Sequence, residues 1–258
     1  MKFFEENSFP LEVVATGNEL LDGSILDRHT QSLAQSLAPF GVQIRRCQIV
    51  RDHDLEISKA MVEAGLHAKA IVVTGGLGPT EDDRTLEVAA ASFGSELVLD
   101  PVAKKNVMQR LKKLKRSKLN PGHHKMMMIP KGSKALLNPM GAAPAVQWEI
   151  GDRTYFFLPG VPSEFHYALE KHLVPWFKKR KTKLGQYRFV YKLFGVAESV
   201  LNEWVKKQKL PEGVEVGYRT TLPENHLKLL VTSSSEKAAF SKIKILDQKI
   251  RRHFSKQL

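Results

Sequence analysis

The chain has 258 residues, 40 Lys and Arg against 27 Asp and Glu, 42% hydrophobic residues and one cysteine. That length suits one large domain plus a smaller one, and Cys47 alone excludes an intrachain disulfide and a cysteine-based metal cluster. No run approaches the roughly 20 apolar residues of a membrane span, and the opening MKFFEENSFPLEVV has no basic region followed by an apolar core, so the sequence reads as cytoplasmic. Charge is uneven: residues 1–100 hold 8 Lys/Arg against 16 Asp/Glu, and residues 101–258 hold 32 against 11. The basic half reads as solvated surface rather than a nucleic-acid site, because no recognition motif or series of stacking aromatics accompanies the lysines.

In chain order, residues 11–15 form the first predicted strand. A helix follows over about 28–40, with Leu33, Leu37 and Phe40 on one face and Gly41 as its stop. Residues 42–50 alternate Val42, Ile44 and Ile49 with polar neighbours as a strand. A loop over 51–54 leads to a helix over 55–66. Residues 70–73 are β-branched and apolar, as for a strand covered on both faces. The glycine loop Gly75, Gly76, Gly78, Pro79 comes next, then a helix over about 84–93 with Thr80, Asp82 or Asp83 as its cap. The alternation β-α-β-α-β-α predicts a parallel sheet covered on both faces, with ligands outside the carboxyl ends of its strands.

Three loops leave those ends: Gly17 to Glu19, the loop of Asp52, and Gly75 to Asp83. Free N–H groups beside a helix start form an anion site. Glu81, Asp82 and Asp83 would repel a bare phosphate, so the combination points to a divalent cation between them. The rival reading is that the acids only cap the helix and the glycines only turn the chain.

Further on, a helix is predicted from Asp100-Pro101 to about residue 116, with Val107, Leu111 and Leu114 as its stripe. Residues 117–130 read as an extended crossing or loop, with Met126, Met127 and Met128 filling core gaps. Residues 146–150 and 154–158 predict a hairpin. A stiff loop then enters a helix at Pro162 that ends near Pro175. Residues 178–183 read as a basic linker. Strands over 187–194, 214–218 and 226–231 and helices over 198–207 and 236–254 predict a small β-α-β-β-α layer. The domains are thus 1–177 and 184–258.

The run T-G-G-L-G-P-T-E-D-D-R-T, from Thr74 to Thr85, resembles the signature of the CinA family's N-terminal domain, a branch of the molybdopterin-binding MogA/MoaB superfamily. Gly17, Glu19, Leu20, Leu21 and Gly23 fit the family's G-x-E-L-L-x-G. Asp52 falls at its acidic loop. Asn138, Gly141, Ala143 and Pro144 fit N-x-x-G-x-A-P-G, and Leu158 to Glu164, with Pro159 and Gly160, fit L-P-G-V-P-x-E. In the smaller domain, Phe194 to Ser199 resemble F-G-x-x-E-S. The chain departs from the family at His29-Thr30, where Asn-Ser is usual. It departs again at His123, Met126 and Met127, and at Ala145 in place of a final glycine. These positions would line the pocket that reads the organic part of the ligand.

The resemblance implies a three-layer α/β/α domain with a mostly parallel sheet, plus a small C-terminal α+β domain. It implies a dimeric, metal-dependent pyrophosphatase that splits ADP-ribose into AMP and ribose 5-phosphate. Mg2+, Mn2+ or Co2+ would be held by Asp83 and Asp82, and the N–H groups of Gly75, Gly76 and Gly78 would hold a phosphate. Asp52, ahead of Glu19, would position or deprotonate the attacking water; either acid is also a candidate second metal ligand, and Asp52 alternatively only caps its loop. Gly17, Thr74, Pro79, Thr80, Thr85, Asn138, Gly141, Pro159 and Gly160 complete the expected nucleotide site. Two other functions share the scaffold: a molybdopterin-binding or adenylylating protein, and a non-catalytic nucleotide binder. Full-length CinA proteins continue into a nicotinamide-mononucleotide deamidase domain, an activity not expected of these residues.

Overall fold

The computed structural model describes residues 8–116 and 118–258. The leader reading, which rests partly on residues 1–7, and Ser117 at the start of the predicted crossing lie outside the described residues. Two compact units result. One joins Pro10–Ser36 to Gln43–Lys179, and the other joins Leu37–Val42 to Arg180–Leu258 and takes in Phe9.

The larger unit runs β1 (Phe9–Thr16), α1 (Asn18–Leu21), α2 (His29–Leu37), β2 (Val42–Val50), α3 (Asp54–His67), β3 (Ala70–Thr74), α4 (Thr85–Ser92), β4 (Leu97–Leu99) and α5 (Pro101–Lys113). It continues through α6 (Pro121–Lys125), β5 (Met128–Pro130), β6 (Lys134–Leu136), β7 (Ala145–Ile150), β8 (Arg153–Leu158), α7 (Pro162–Ala168) and α8 (Val174–Lys179). Its sheet has the order β2-β1-β3-β8-β7-β6. At its centre β1, β3 and β8 are parallel, with Ala15 opposite Thr74 and Thr74 opposite Leu158. β7 and β6 continue antiparallel at one edge.

Alternate residues serve opposite faces. Val14, Ile71, Val73, Tyr155 and Phe157 share a core with Ile57 and Met61 of α3, Val88 of α4 and Val107 of α5. Phe156, between two of them, turns to the other face and meets Trp176 of α8 edge-on at 5.2 Å. Two-sided covering explains why every residue of β3 is buried. Three parallel strands therefore end together at Thr16, Thr74 and Leu158, and this rim carries the candidate site.

Several sequence expectations need correction. α5 stops at Lys113, so Leu114 is 49% exposed and leaves the apolar stripe. Ile49 is also exposed rather than part of an alternating buried face. Residues 117–130 hold α6, a capping box in which the Asn120 side chain and His123 bond each other's backbone N–H, and β5, which pairs with β4. The helix from Pro162 does not end near Pro175. A π turn over Leu169–Leu173 precedes α8, and Pro175 takes its second position, where a missing N–H does no harm. Lys178 and Lys179 thus belong to α8 and not to a linker.

The smaller unit holds β9 (Gly185–Phe194), α9 (Glu198–Lys206), β10 (Val214–Thr221), β11 (Glu224–Ser233) and α10 (Glu236–His253). Its antiparallel sheet has the order β10-β11-β9. Leu193, Leu227 and Leu229 pack with Leu201 of α9 and with Ile243 and Ile250 of α10. The Tyr191 hydroxyl donates to Asp247 at 2.8 Å, and burial pushes the phenol's pKa up. No described helix is long and apolar enough to cross a membrane.

Asp100 starts α5 by accepting the N–H groups of Val102 and Ala103, each at 2.8 Å. Asp100→Ala is expected to cost about 1 kcal/mol, read as a lower urea midpoint with an unchanged slope.

Candidate ligand-binding cleft

The site grows from the end of β3. The Thr16 hydroxyl donates to the Thr74 carbonyl at 3.2 Å. The Gly75 N–H donates to the Leu158 carbonyl at 3.0 Å, which extends the sheet by one residue. The chain then turns left-handed, with φ of 99° at Gly75 and 64° at Gly76. A side chain at Gly75 would strike the Thr16 carbonyl, and one at Gly76 the Thr85 hydroxyl. Thr85, fully buried, holds the turn from behind. Its hydroxyl donates to the Gly75 carbonyl at 3.0 Å and its N–H to the Gly76 carbonyl at 3.1 Å. The N–H groups of Gly76, Leu77 and Gly78 have no acceptor among the described residues, and all three residues line a cleft of about 1110 Å3. A Cβ on Gly160 would stand 3.5 Å from the Gly75 Cα, so the loop after β8 lies against the loop after β3.

The acids do not cap α4. Its N-cap is Arg84, with no side-chain cap bond. Instead one oxygen of Asp83 accepts both the N–H (2.9 Å) and the hydroxyl (2.5 Å) of Thr80, closing a tight acidic turn. A Cβ on Gly78 would come within 2.6 Å of that carboxylate. Glycine at 78 therefore lets Asp83 lie against the loop. Lys125 of α6 fastens the same turn by donating to the Thr80 carbonyl at 2.8 Å. Arg84 pairs with Asp54 at 3.0 Å and Glu87 at 3.3 Å, a solvated helix position.

Asp52 faces this corner from the loop after β2 and accepts the Asn18 N–H at 3.0 Å. Burial pushes its pKa up, and the charges of Glu19, Asp83 and Asp82 push it the same way against the Asn18 bond. Among the described residues no three His, Cys, Asp or Glu side chains converge as a metal cage. Carboxylate oxygens few in number suit a hard cation that keeps water in its shell, so the corner fits a Mg2+-class ion held by one or two acids.

Gly17, Glu19, Asp52, Thr74, Gly75, Gly76, Gly78, Pro79, Thr80, Asp82, Asp83, Pro159 and Gly160 all line the cleft. Thr85, Asn138 and Gly141 do not; they stand behind it. The Gly75 N–H, expected to hold phosphate, is engaged by the sheet. Of the three departures from the family pattern, His29 and Met126 line the cleft, whereas Ala145 is buried in β7. The His29 ring stacks on Phe165 at 3.9 Å and 11°, and burial pushes its pKa down. Sequence reasoning gave no role to Glu164, which lines the cleft and accepts a 2.6 Å bond from Asn138. Its place in L-P-G-V-P-S-E was the available signal.

The fold and the glycine-loop cleft define a class: residues 12–179 match the family described as a probable molybdopterin binding domain. A CinA-like protein of Citrifermentans bemidjiense is 36% identical over 224 residues, 86% of this chain and 53% of that protein. One from Myxococcus xanthus is 37% identical over 237 residues, 89% of this chain and 55% of that protein. The crystal structure of the protein CinA, with unknown function, from Thermoplasma acidophilum superposes with a TM-score of 0.60 at 33% identity, covering 64% of this chain and 96% of that one. The chain belongs to this molybdopterin-binding-domain family, among its CinA-like members. It spans about half the length of the curated relatives it matches.

Gly76→Ala forces a side chain into left-handed backbone against Thr85 and is expected to cost about 1–3 kcal/mol, read by chemical denaturation. Asp52 holds its proton to higher pH in the folded state than in the unfolded one. Its contribution to stability is therefore lost as pH rises from about 4 through the raised native value. Asp52→Asn should raise Tm at pH 7, and thermal scans should show the gain vanishing near pH 3.

Proposed function

We propose that the cleft is the active site of a metal-dependent nucleotide pyrophosphatase, which hydrolyses ADP-ribose to AMP and ribose 5-phosphate. One observation carries this reading: three unspent N–H groups and four carboxylates share the rim where β1, β3 and β8 end. The N–H groups of Gly76, Leu77 and Gly78 bind one phosphate of the pyrophosphate. Asp83 and Asp82 would hold the ion (Mg2+, Mn2+ or Co2+), which would supply positive charge to offset that of the phosphate oxygens. Asp52, whose pKa burial pushes up, takes a proton from the water that attacks phosphorus, and Glu19 orients that water. The new P–O bond replaces the bond to the bridging oxygen, which leaves with the second phosphate. The volume suits a ligand with two phosphates and groups on both sides. With the family resemblance, the proposal extends to a cytoplasmic homodimer.

The description of the matched domain favours a second reading, in which a molybdopterin-type pterin occupies the cleft, with or without adenylylation. The presence of His29 and Met126 in the lining is compatible with a third, a nucleotide binder without turnover.

The test supplies ADP-ribose with Mg2+, Mn2+ and Co2+ in turn and follows AMP and ribose 5-phosphate. Turnover that needs the metal and falls at least about 100-fold in Asp83→Ala supports the hydrolase. No turnover with any metal from folded protein overturns it for this substrate. Co-purified pterin, or adenylyl transfer from ATP, would then favour the second reading.

A further inference from the structure

Glu164, in the first turn of α7, is a carboxylate the phosphate chemistry does not use. Burial pushes its pKa up. Two buried asparagines are committed to placing it. The Asn138 amide donates to Glu164 Oε2 at 2.6 Å and to the Ala143 carbonyl at 2.8 Å, while its Oδ1 accepts the Met140 N–H. Asn106 in turn accepts the Asn138 N–H at 2.7 Å and donates to the Ala142 carbonyl at 2.8 Å. Gly141 completes the seat, because a Cβ there would fall on the Glu164 carboxylate.

An acid kept for stability would be paired, and this one is not. No ion pair of Glu164 occurs among the described residues, and Arg110 reaches it only through its field. The N-cap of α7 makes no side-chain cap bond. Oε1 has no protein partner among the described residues, and the residue lines the cleft. A carboxylate repels phosphate and accepts hydrogen bonds, so the free oxygen of Glu164 calls for a donor.

We infer that Glu164 is the specificity-determining residue for the organic portion of the ligand, its free oxygen accepting hydrogen bonds from paired O–H or N–H donors. The vicinal hydroxyls of a ribose and the amino edge of a pterin both offer that chemistry. The inference rests on the proposed ligand class and deepens it. It explains why Asn138 and Gly141, which do not themselves line the cleft, converge on one point of its wall.

Glu164→Gln tests it sharply. Asn138 donates an N–H, so the glutamine must turn its oxygen toward Asn138 and its NH2 toward the ligand. An acceptor becomes a donor without a change of shape. In the full chain, Glu164→Gln should fold with a Tm no lower than wild type, raise KM for ADP-ribose about tenfold or more and leave kcat within about twofold. Asp83→Ala should show the opposite split. Titration of both proteins with ADP-ribose and with 6-hydroxymethylpterin separates the sources. Weakening confined to ADP-ribose assigns the ribose hydroxyls, and weakening confined to the pterin assigns its amino edge; either supports the inference. Unchanged KM and Kd in folded Glu164→Gln overturn it while the proposed function stands. Failure of the wild type to bind either probe overturns both. Should Glu164→Gln not fold, Glu164→Asp, which keeps the charge but withdraws it, is read by the same split and the same criteria.

Discussion

The hydrogen bond from the Gly75 N–H to the Leu158 carbonyl carries the sheet one residue past β3 and fixes where the polypeptide must turn. With that donor engaged, and with the Gly75 and Gly76 carbonyls held by Thr85, the turn has no freedom left except at its front. The next three N–H groups are thereby left for a ligand rather than for the protein. Lys125 on Thr80, and Thr80 on Asp83, extend the same rigidity to the acids. The fold supplies a fixed edge, and local bonds convert it into an ordered cradle.

Against that rigid frame stands an electrostatic conflict. Four carboxylates crowd one rim, and burial, reinforced by the charges of Glu19, Asp83 and Asp82, pushes the pKa of Asp52 up. Such an arrangement weakens the fold at neutral pH, and it persists because neighbouring structure over-determines it. Under the proposed function, the same conflict would create demand for a cation and make Asp52 a better proton acceptor than an ordinary aspartate. Stability and chemistry oppose each other in the same side chains.

Much of this was legible in the sequence because it is periodic or local. The β-branched run before Gly75 and the hairpin of residues 146–150 and 154–158 were readable and are buried or paired as read. The glycine loop was readable because only glycine tolerates its backbone. What escaped depends on partners distant in sequence. Nothing local in residues 97–99 announces a two-stranded pairing with 128–130. Asn120 and His123 spell a capping box only once a five-residue helix is suspected. The duty of Asp83 differs from a cap because Thr80 folds back on it. Asn138 and Glu164 meet across 26 residues, so their shared role could not be seen from either motif alone.

The contact between Gly160 and Gly75 joins two motifs that the chain writes far apart. The two positions are not equivalent: a Cβ at Gly75 would strike the Thr16 carbonyl, whereas one at Gly160 would rest in ordinary contact with the Gly75 Cα. A side chain gained at Gly75 must be absorbed at the end of β1, while one gained at Gly160 asks little of the glycine loop. The end of the cleft at the glycine loop is thus set by backbone, since side chains at Gly75 and Gly76 meet the Thr16 carbonyl and the Thr85 hydroxyl. The wall around Glu164 and His29 is built of side chains and can change one residue at a time.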